Sequence, residues 1–216
     1  MDYSRICIVG NGPSAENMGK EIDSWPFVVR MKEYHVFGPR NSGKKIDALA
    51  CFMGNCCPDD VDIGEFWFTV SDEFSHELCD LTFIRKRADG KPVFVITDKL
   101  YGNVRRHLTK LSKHPRAPTT GFAAIAMAIE FGAKELFLVG FDAVSPDVPG
   151  WGDAVYRSDW AAHGHDYKAE KRAINNLHHN IWLGDHSDVK LTWRRLPGAR
   201  CPKQRDDNVK QDHGAT

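Results

Sequence analysis

Short, unbroken apolar runs constrain this chain more than any other feature. RICIV (5–9), FVVRM (27–31), IDALACF (46–52), FWFTV (66–70), VFVIT (93–97) and ELFLVG (135–140) are mostly continuous rather than alternating. A strand with one wet face alternates apolar and polar residues, whereas a strand covered on both faces does not. Segments with helical spacing lie between the runs: DKLYGNVRRHLTKL (98–111), GFAAIAMAIEFG (121–132) and DYKAEKRAINNLHHNIWL (166–183). AENMGKEI (15–22) also suits a helix, and VKLTW (189–193) reads as a last strand. The order strand, helix, strand predicts an α/β fold. It is Rossmann-like, with a mainly parallel sheet and helices on both faces.

The 216 residues suit one sizeable domain, placed at 1–200, with a polar and disordered tail at 201–216. Lys+Arg and Asp+Glu each total 29, so charge gives no reason to expect nucleic acid or an anionic membrane as partner. No apolar run approaches the ~18–20 residues of a membrane span. The opening residues lack the pattern of a signal peptide. Cysteines at 7, 51, 56, 57, 79 and 201 read as reduced thiols of a cytoplasmic protein. CFMGNCC (51–57) has no matched second pair for zinc. Two segments are loop-like: MGNCCPDDVDIGE (53–65), and 143–165, which is rich in Gly, Pro and aromatics. A loop as long as the second suits a lid.

VGNGPS (9–14) carries the first functional signal. Gly10 and Gly12 permit a tight turn and close approach of a ligand to the main chain. A helix starting behind them would add open N–H groups, so phosphate is the natural ligand. The string also fits the dinucleotide fingerprint G-x-G-x-x-A, ending at Ala15. A nicotinamide site needs an acid at the end of the next strand. That strand ends VVRMKE, with Arg30 and Lys32 there and Glu33 a poor substitute. A purely structural turn stays open beside the phosphate site.

In PTTGFAAIAMAIEFGAKELFLVGFD (118–142), Thr119 or Thr120 can cap a helix whose first amides Gly121 leaves open. A capped core helix without a ligand explains the same spacing. In HGHDYKAE (163–170), His163 and His165 precede a helix with Asp166 in its first turn. They suit exposed caps, or a metal pair with no third ligand fixed by spacing. A histidine near its unperturbed pKa of ~6.5 also suits a general base.

Four of these stretches, in this order, resemble the successive motifs of the sialyltransferase family. VGNGPS is similar to the turn of the large sialylmotif, and VVRM to the run on the following strand. PTTG…GFD is similar to the small sialylmotif, and HDYKAE to the His-x-x-x-x-Glu motif. Gly164-His165 resembles the Gly-His of the compact bacterial lipooligosaccharide enzymes. The resemblance covers roughly residues 5 to 183. It implies a GT-A-like variant fold and transfer of sialic acid from CMP-sialic acid to a glycan or glycolipid acceptor. It implies inversion and no cofactor or metal. By the same resemblance, Asn11 with the backbone of Gly10 and Gly12 contacts the CMP moiety. Asn55 contacts sugar or nucleotide. Thr119, Thr120 and Gly121 contact ribose, phosphate or donor carboxylate, and Asp142 supports the nucleotide pocket. Ser14, Arg30 and Lys32 complete the donor-binding candidates. His165 is the implied general base. Tyr156 is the implied partner of the leaving phosphate, with Tyr167 second. His163 and Glu170 are further candidates.

Lys32 departs from the family, which has Asn there, and an ammonium cannot copy an amide's paired donor and acceptor. That keeps a CMP-Kdo-dependent transferase open. The cysteines that link the large and small motifs of animal enzymes have no counterpart in PTTGF, nor is their N-terminal anchor expected. The expected location is cytoplasmic, or peripheral to a membrane carrying the acceptor. A nucleotide-binding module without turnover and a pyrophosphokinase-like or NAD(P)-linked enzyme are the other readings.

Overall fold

Seven parallel strands make one sheet in a computed structural model that describes residues 1–32, 34, 40–52, 62–69, 85–86, 88–111, 117–142, 167–176 and 188–194. The strands are β1 (Arg5–Val9), β2 (Phe27–Met31), β3 (Ala48–Cys51), β4 (Glu65–Phe68), β5 (Val93–Val95), β6 (Glu135–Val139) and β7 (Lys190–Trp193). Their spatial order is β5-β4-β3-β2-β1-β6-β7. The α-helices described in full include α1 (Gly19–Asp23), α2 (Asp98–Leu111), α3 (Thr120–Glu130) and α4 (Tyr167–Asn175). The lid expected at 143–165 and the tail at 201–216 lie outside the described residues.

The apolar runs are unbroken because both faces of the central strands are covered. Ile6, Ile8, Phe27, Val29, Ala48, Ala50, Leu136 and Leu138 join α2, α3 and α4 in one core. The alternate residues Cys7, Val9, Val28, Phe137 and Val139 pack with Ala15, Met18 and Ile22 on the other face. Burying each large aliphatic side chain contributes about 1.5–3 kcal/mol. Helix α3 is buried from Phe122 to Ile129, and its alanines let it lie close against β1 and β3. Cys7 and Cys51, the cysteines among the described residues, are both buried. Burial pushes the Cys7 thiol above its ordinary pKa, which keeps it protonated.

At the amino end of the sheet, the buried Glu65 carboxylate accepts from Tyr3 OH at 2.8 Å and Trp67 Nε1 at 2.6 Å. Phe131 meets Trp67 edge-on at 5.1 Å and Phe27 stacks on it at 6.0 Å. This end is tied together by structure-bearing groups.

One predicted helix is broken. A 3-10 turn at Pro13–Ala15 ends where the segment 15–22 begins, and α1 starts only at Gly19. Asn17 sits between them at φ 60, in the left-handed region. The loop after β2 holds it there: Asn17 N donates to Arg40 O, and Asn41 Nδ2 donates to Asn17 Oδ1. Tertiary docking overrides helical spacing here. No helix among the described residues is long and apolar enough to cross a membrane.

Strand order reverses at β1, with β2 on one side and β6 on the other. In open parallel sheets such a switch point leaves a crevice outside the carboxyl ends of the strands. The Gly10 turn, Lys32 and Gly140 all follow strands at that edge.

Candidate functional site

The first turn is built from backbone hydrogen bonds to β6. Gly10 N donates to Val139 O at 2.8 Å, and Gly12 N donates to Gly140 O at 2.9 Å. Ser14 N donates to Asp142 Oδ2 at 2.7 Å, while Gly140 N donates to Ser14 Oγ at 2.8 Å. Pro13 has no N–H. The expected phosphate cradle at a helix N-terminus near residues 12–15 is therefore corrected. The amides of Gly10, Gly12 and Ser14 have acceptors within the protein, and the element behind them is a three-residue 3-10 turn. Gly10 and Gly12 bring backbones together, and Ser14 and Asp142 lock the two turns to each other. Ser14 is buried, so its side chain serves the fold rather than the donor.

Asn11 stands at the tip of this turn. Its Nδ2 donates to Lys32 O at 3.1 Å, which sets the orientation of the amide. Its Oδ1 is buried and has no hydrogen-bond partner among the described residues. A buried unpartnered carbonyl is costly unless a ligand donates to it. Beside it, Lys32 holds its Nζ 3.5 Å from the centre of the Phe52 ring.

Arg30, another donor-contact candidate, has its partners on a neighbouring loop. It is 1% exposed and donates to Lys45 O at 2.9 Å and Ser42 O at 2.8 Å. Asp23 lies 3.9 Å from its Nη2. Burial lowers its pKa and Asp23 opposes that shift. The guanidinium fastens the 42–45 loop onto β2.

Helix α3 presents the second anion-friendly group. Thr119 is its N-cap, with Oγ1 accepting from Phe122 N at 3.1 Å. Glu170, on α4, accepts from Thr119 N at 2.6 Å and Thr119 Oγ1 at 2.7 Å. Thr119 thereby gives its N–H and its hydroxyl proton to Glu170 and accepts its cap bond on Oγ1. The next two amides, of Thr120 and Gly121, precede the first N–H that the helix itself can satisfy. They are half-buried and belong to the end of an 11-residue helix.

Phe141 joins the two halves. A Cβ on Gly121 would meet its ring at 2.7 Å, and one on Gly10 would meet it at 3.4 Å. The ring therefore lies between the first turn and the start of α3. Motif reading picked Asp142 and passed over this neighbour. An aromatic between a glycine and an acid at a strand's end was the available signal.

Asn55, Tyr156, His163 and His165 lie outside the described residues, and Tyr167 is described only as the first residue of α4. The structure brings together Asn11, Lys32, Asp142, Thr120 and Gly121, the last two across Phe141.

No family model matches the chain, and neither does any curated protein. Solved structures do match. A mammalian sialyltransferase aligns with TM-score 0.58 at 16% identity, over 88% of this chain and 68% of that one. CstII from Campylobacter jejuni, in complex with the substrate analogue CMP-3FNeuAc, aligns with TM-score 0.53 at 17% identity, over 88% and 81%. The chain has the sialyltransferase fold. The monofunctional α-2,3-sialyltransferase Cst-I of the same organism shares it, with TM-score 0.53 at 17% identity over 88% and 75%. The α/β sheet expected from the apolar runs is thus the sheet of the sialyltransferase fold.

Proposed function

We propose that the chain is an inverting glycosyltransferase that moves sialic acid from CMP-sialic acid to a hydroxyl of a glycan or glycolipid acceptor. The observation that carries this reading is Asn11. Its buried Oδ1 lacks a donor among the described residues, and it sits at the switch point of a sialyltransferase fold. A nucleotide carrying N–H or O–H groups supplies that donor. CstII, with the same fold, binds a CMP-sugar analogue. The donor-binding set on this reading is Asn11, Lys32, Asn55, Thr120 and Gly121, with Gly10, Gly12, Ser14 and Asp142 holding the turns around it.

The chemistry follows from the donor. Its carboxylate sits beside the anomeric carbon, and the transition state gathers positive charge on the ring. The amides of Thr120 and Gly121 and the ammonium of Lys32 favour the anionic groups without a metal or cofactor. His165 takes the proton of the acceptor hydroxyl as its oxygen attacks the anomeric carbon. The bond from that carbon to the CMP phosphate oxygen breaks on the opposite face, and Tyr156 donates a hydrogen bond to the departing phosphate. One such displacement inverts the anomeric centre. The single-domain layout over 1–200 and a peripheral membrane location belong to the same proposal.

A thermal-shift panel of CMP, CDP, UDP, GDP, ATP and NADP tests the reading. A selective CMP response followed by transfer from CMP-sialic acid is expected. A preference for ATP or NADP would overturn it, and CMP binding without turnover would favour the binding-module reading. Lys32 favours a second reading, a CMP-Kdo-dependent transferase, because its charge replaces the family's amide. Comparing hydrolysis of both CMP-sugars separates the two.

A further inference from the structure

Glu170 is 6% exposed, and both of its carboxylate oxygens are directed at one residue of another helix. An N-cap threonine needs no such help. Thr119 Oγ1 already accepts from Phe122 N, and that bond alone is the usual cap. Burying a carboxylate costs desolvation. It also sets a negative charge beside the α3 amides, which opposes a donor anion there. Short charge-assisted bonds and the α3 dipole offset the first cost. The second is offset only if the carboxylate supplies geometry that the site needs.

We propose that Glu170 and Thr119 form a positioning clamp between the donor-binding turn and α4. The Thr119 hydroxyl is fixed in both directions, donating to Glu170 and accepting from Phe122. The first turn of α3 cannot rotate against α4 without breaking two hydrogen bonds to Glu170, so the aim of the Thr120 and Gly121 amides is set from α4. Glu170 lies in the first turn of α4, which begins two residues after His165 in the sequence. The clamp therefore ties the element that follows the implied base to the turn that holds the donor's anionic group. The ligand named here rests on the function proposed above, whereas the clamp itself does not.

The test compares Glu170→Ala, Glu170→Gln, Thr119→Val, Thr119→Ser and the Glu170→Ala/Thr119→Val double variant, each well below its unfolding midpoint. Transfer kinetics with CMP-sialic acid, CMP affinity and hydrogen exchange at the Phe122 amide are measured. Glu170→Ala is expected to lower kcat by about a hundredfold with a smaller change in KM. Thr119→Ser keeps both bonds and is expected to stay near the parent enzyme. The double variant is expected to be no worse than the worse single one, because both changes remove the same coupling. Phe122 exchange is expected to quicken in Glu170→Ala, although its own acceptor is untouched. Additive losses in the double variant, or parental kcat and parental Phe122 exchange in folded Glu170→Ala, overturn the clamp. If the parent neither binds CMP nor consumes a CMP-sugar, the proposed function fails. The clamp then stands or falls on Phe122 exchange and on the same double-variant cycle read in thermal stability.

Discussion

Gly10 and Gly140 lie back to back across the switch point of the sheet. A Cβ on Gly10 would come within 2.8 Å of the Gly140 carbonyl carbon, and one on Gly140 within 2.7 Å of the Gly10 carbonyl carbon. Gly140 also has φ +77. Neither position has room for a side chain. Their contact seats the turn that carries Asn11 against the turn that carries Phe141 and Asp142.

Gly140→Ala adds a steric clash to an unfavourable left-handed conformation. A loss of about 3 kcal/mol or more in urea unfolding is expected. Gly132→Ala is the control. Gly132 has φ +90 but nothing within 4 Å of the added carbon, so strain alone applies, about 1–2 kcal/mol. Equal losses at the two sites would remove the packing argument.

Asn11→Ala separates stability from binding. It removes one hydrogen bond to Lys32 O but also removes a buried carbonyl that has no partner among the described residues. The two nearly cancel, so unfolding free energy should change by less than about 1 kcal/mol. CMP affinity should fall by about tenfold or more, read by calorimetry. Undiminished affinity would mean that Oδ1 is not a ligand contact.

Arg30 distinguishes a buried latch from a donor contact. Arg30→Ala leaves the Lys45 and Ser42 carbonyls without their donor and is expected to destabilise the fold by about 3–5 kcal/mol. The folded fraction should bind CMP with near-parental affinity. Arg30→Lys should fail to rescue stability, because an ammonium cannot span both carbonyls from one planar group. Loss of CMP affinity in fully folded Arg30→Lys would return Arg30 to the donor site.

The Asp142 carboxylate holds the Ser14 amide. Asp142→Ala should cost about 2 kcal/mol and weaken CMP binding together, since the turn that carries Asn11 is freed. Asp142→Asn keeps an acceptor oxygen and should retain most of both. Thermal unfolding and calorimetry on the pair check this.

His107 gives stability a pH dependence. Burial first, and then the charge of Lys110, hold its pKa below 6.5. The unfolded chain gains a proton near that value while the folded chain resists. Stability is therefore full above about pH 6.5 and declines as pH falls through the lower folded-state pKa. His107→Gln should flatten that limb of a stability-versus-pH curve. An unchanged slope would assign the decline to other groups.

The strands were legible because coverage on two faces is a local property, written into each run of apolar residues. The 15–22 segment misled for the converse reason. Its spacing is helical, but contacts from Arg40 and Asn41 hold Asn17 in a left-handed turn. Asn11, Asp142 and the PTTG turn were visible as residues in motifs. Their roles were not, because a motif names a residue type without naming its partner. Arg30 looked like a donor contact, yet its partners sit on the 42–45 loop.

Residue pattern alone accounts for the parallel sheet and for where glycines, threonines and acids gather at its carboxyl edge. The assignment of each polar group required the folded chain. The Ser14 amide meets a carboxylate 128 residues away, and Thr119 meets one 51 residues away. Contacts at such separations arise when crossover helices return every strand's carboxyl end to one edge. That return decides which amides, such as those of Ser14 and Thr119, the protein itself closes.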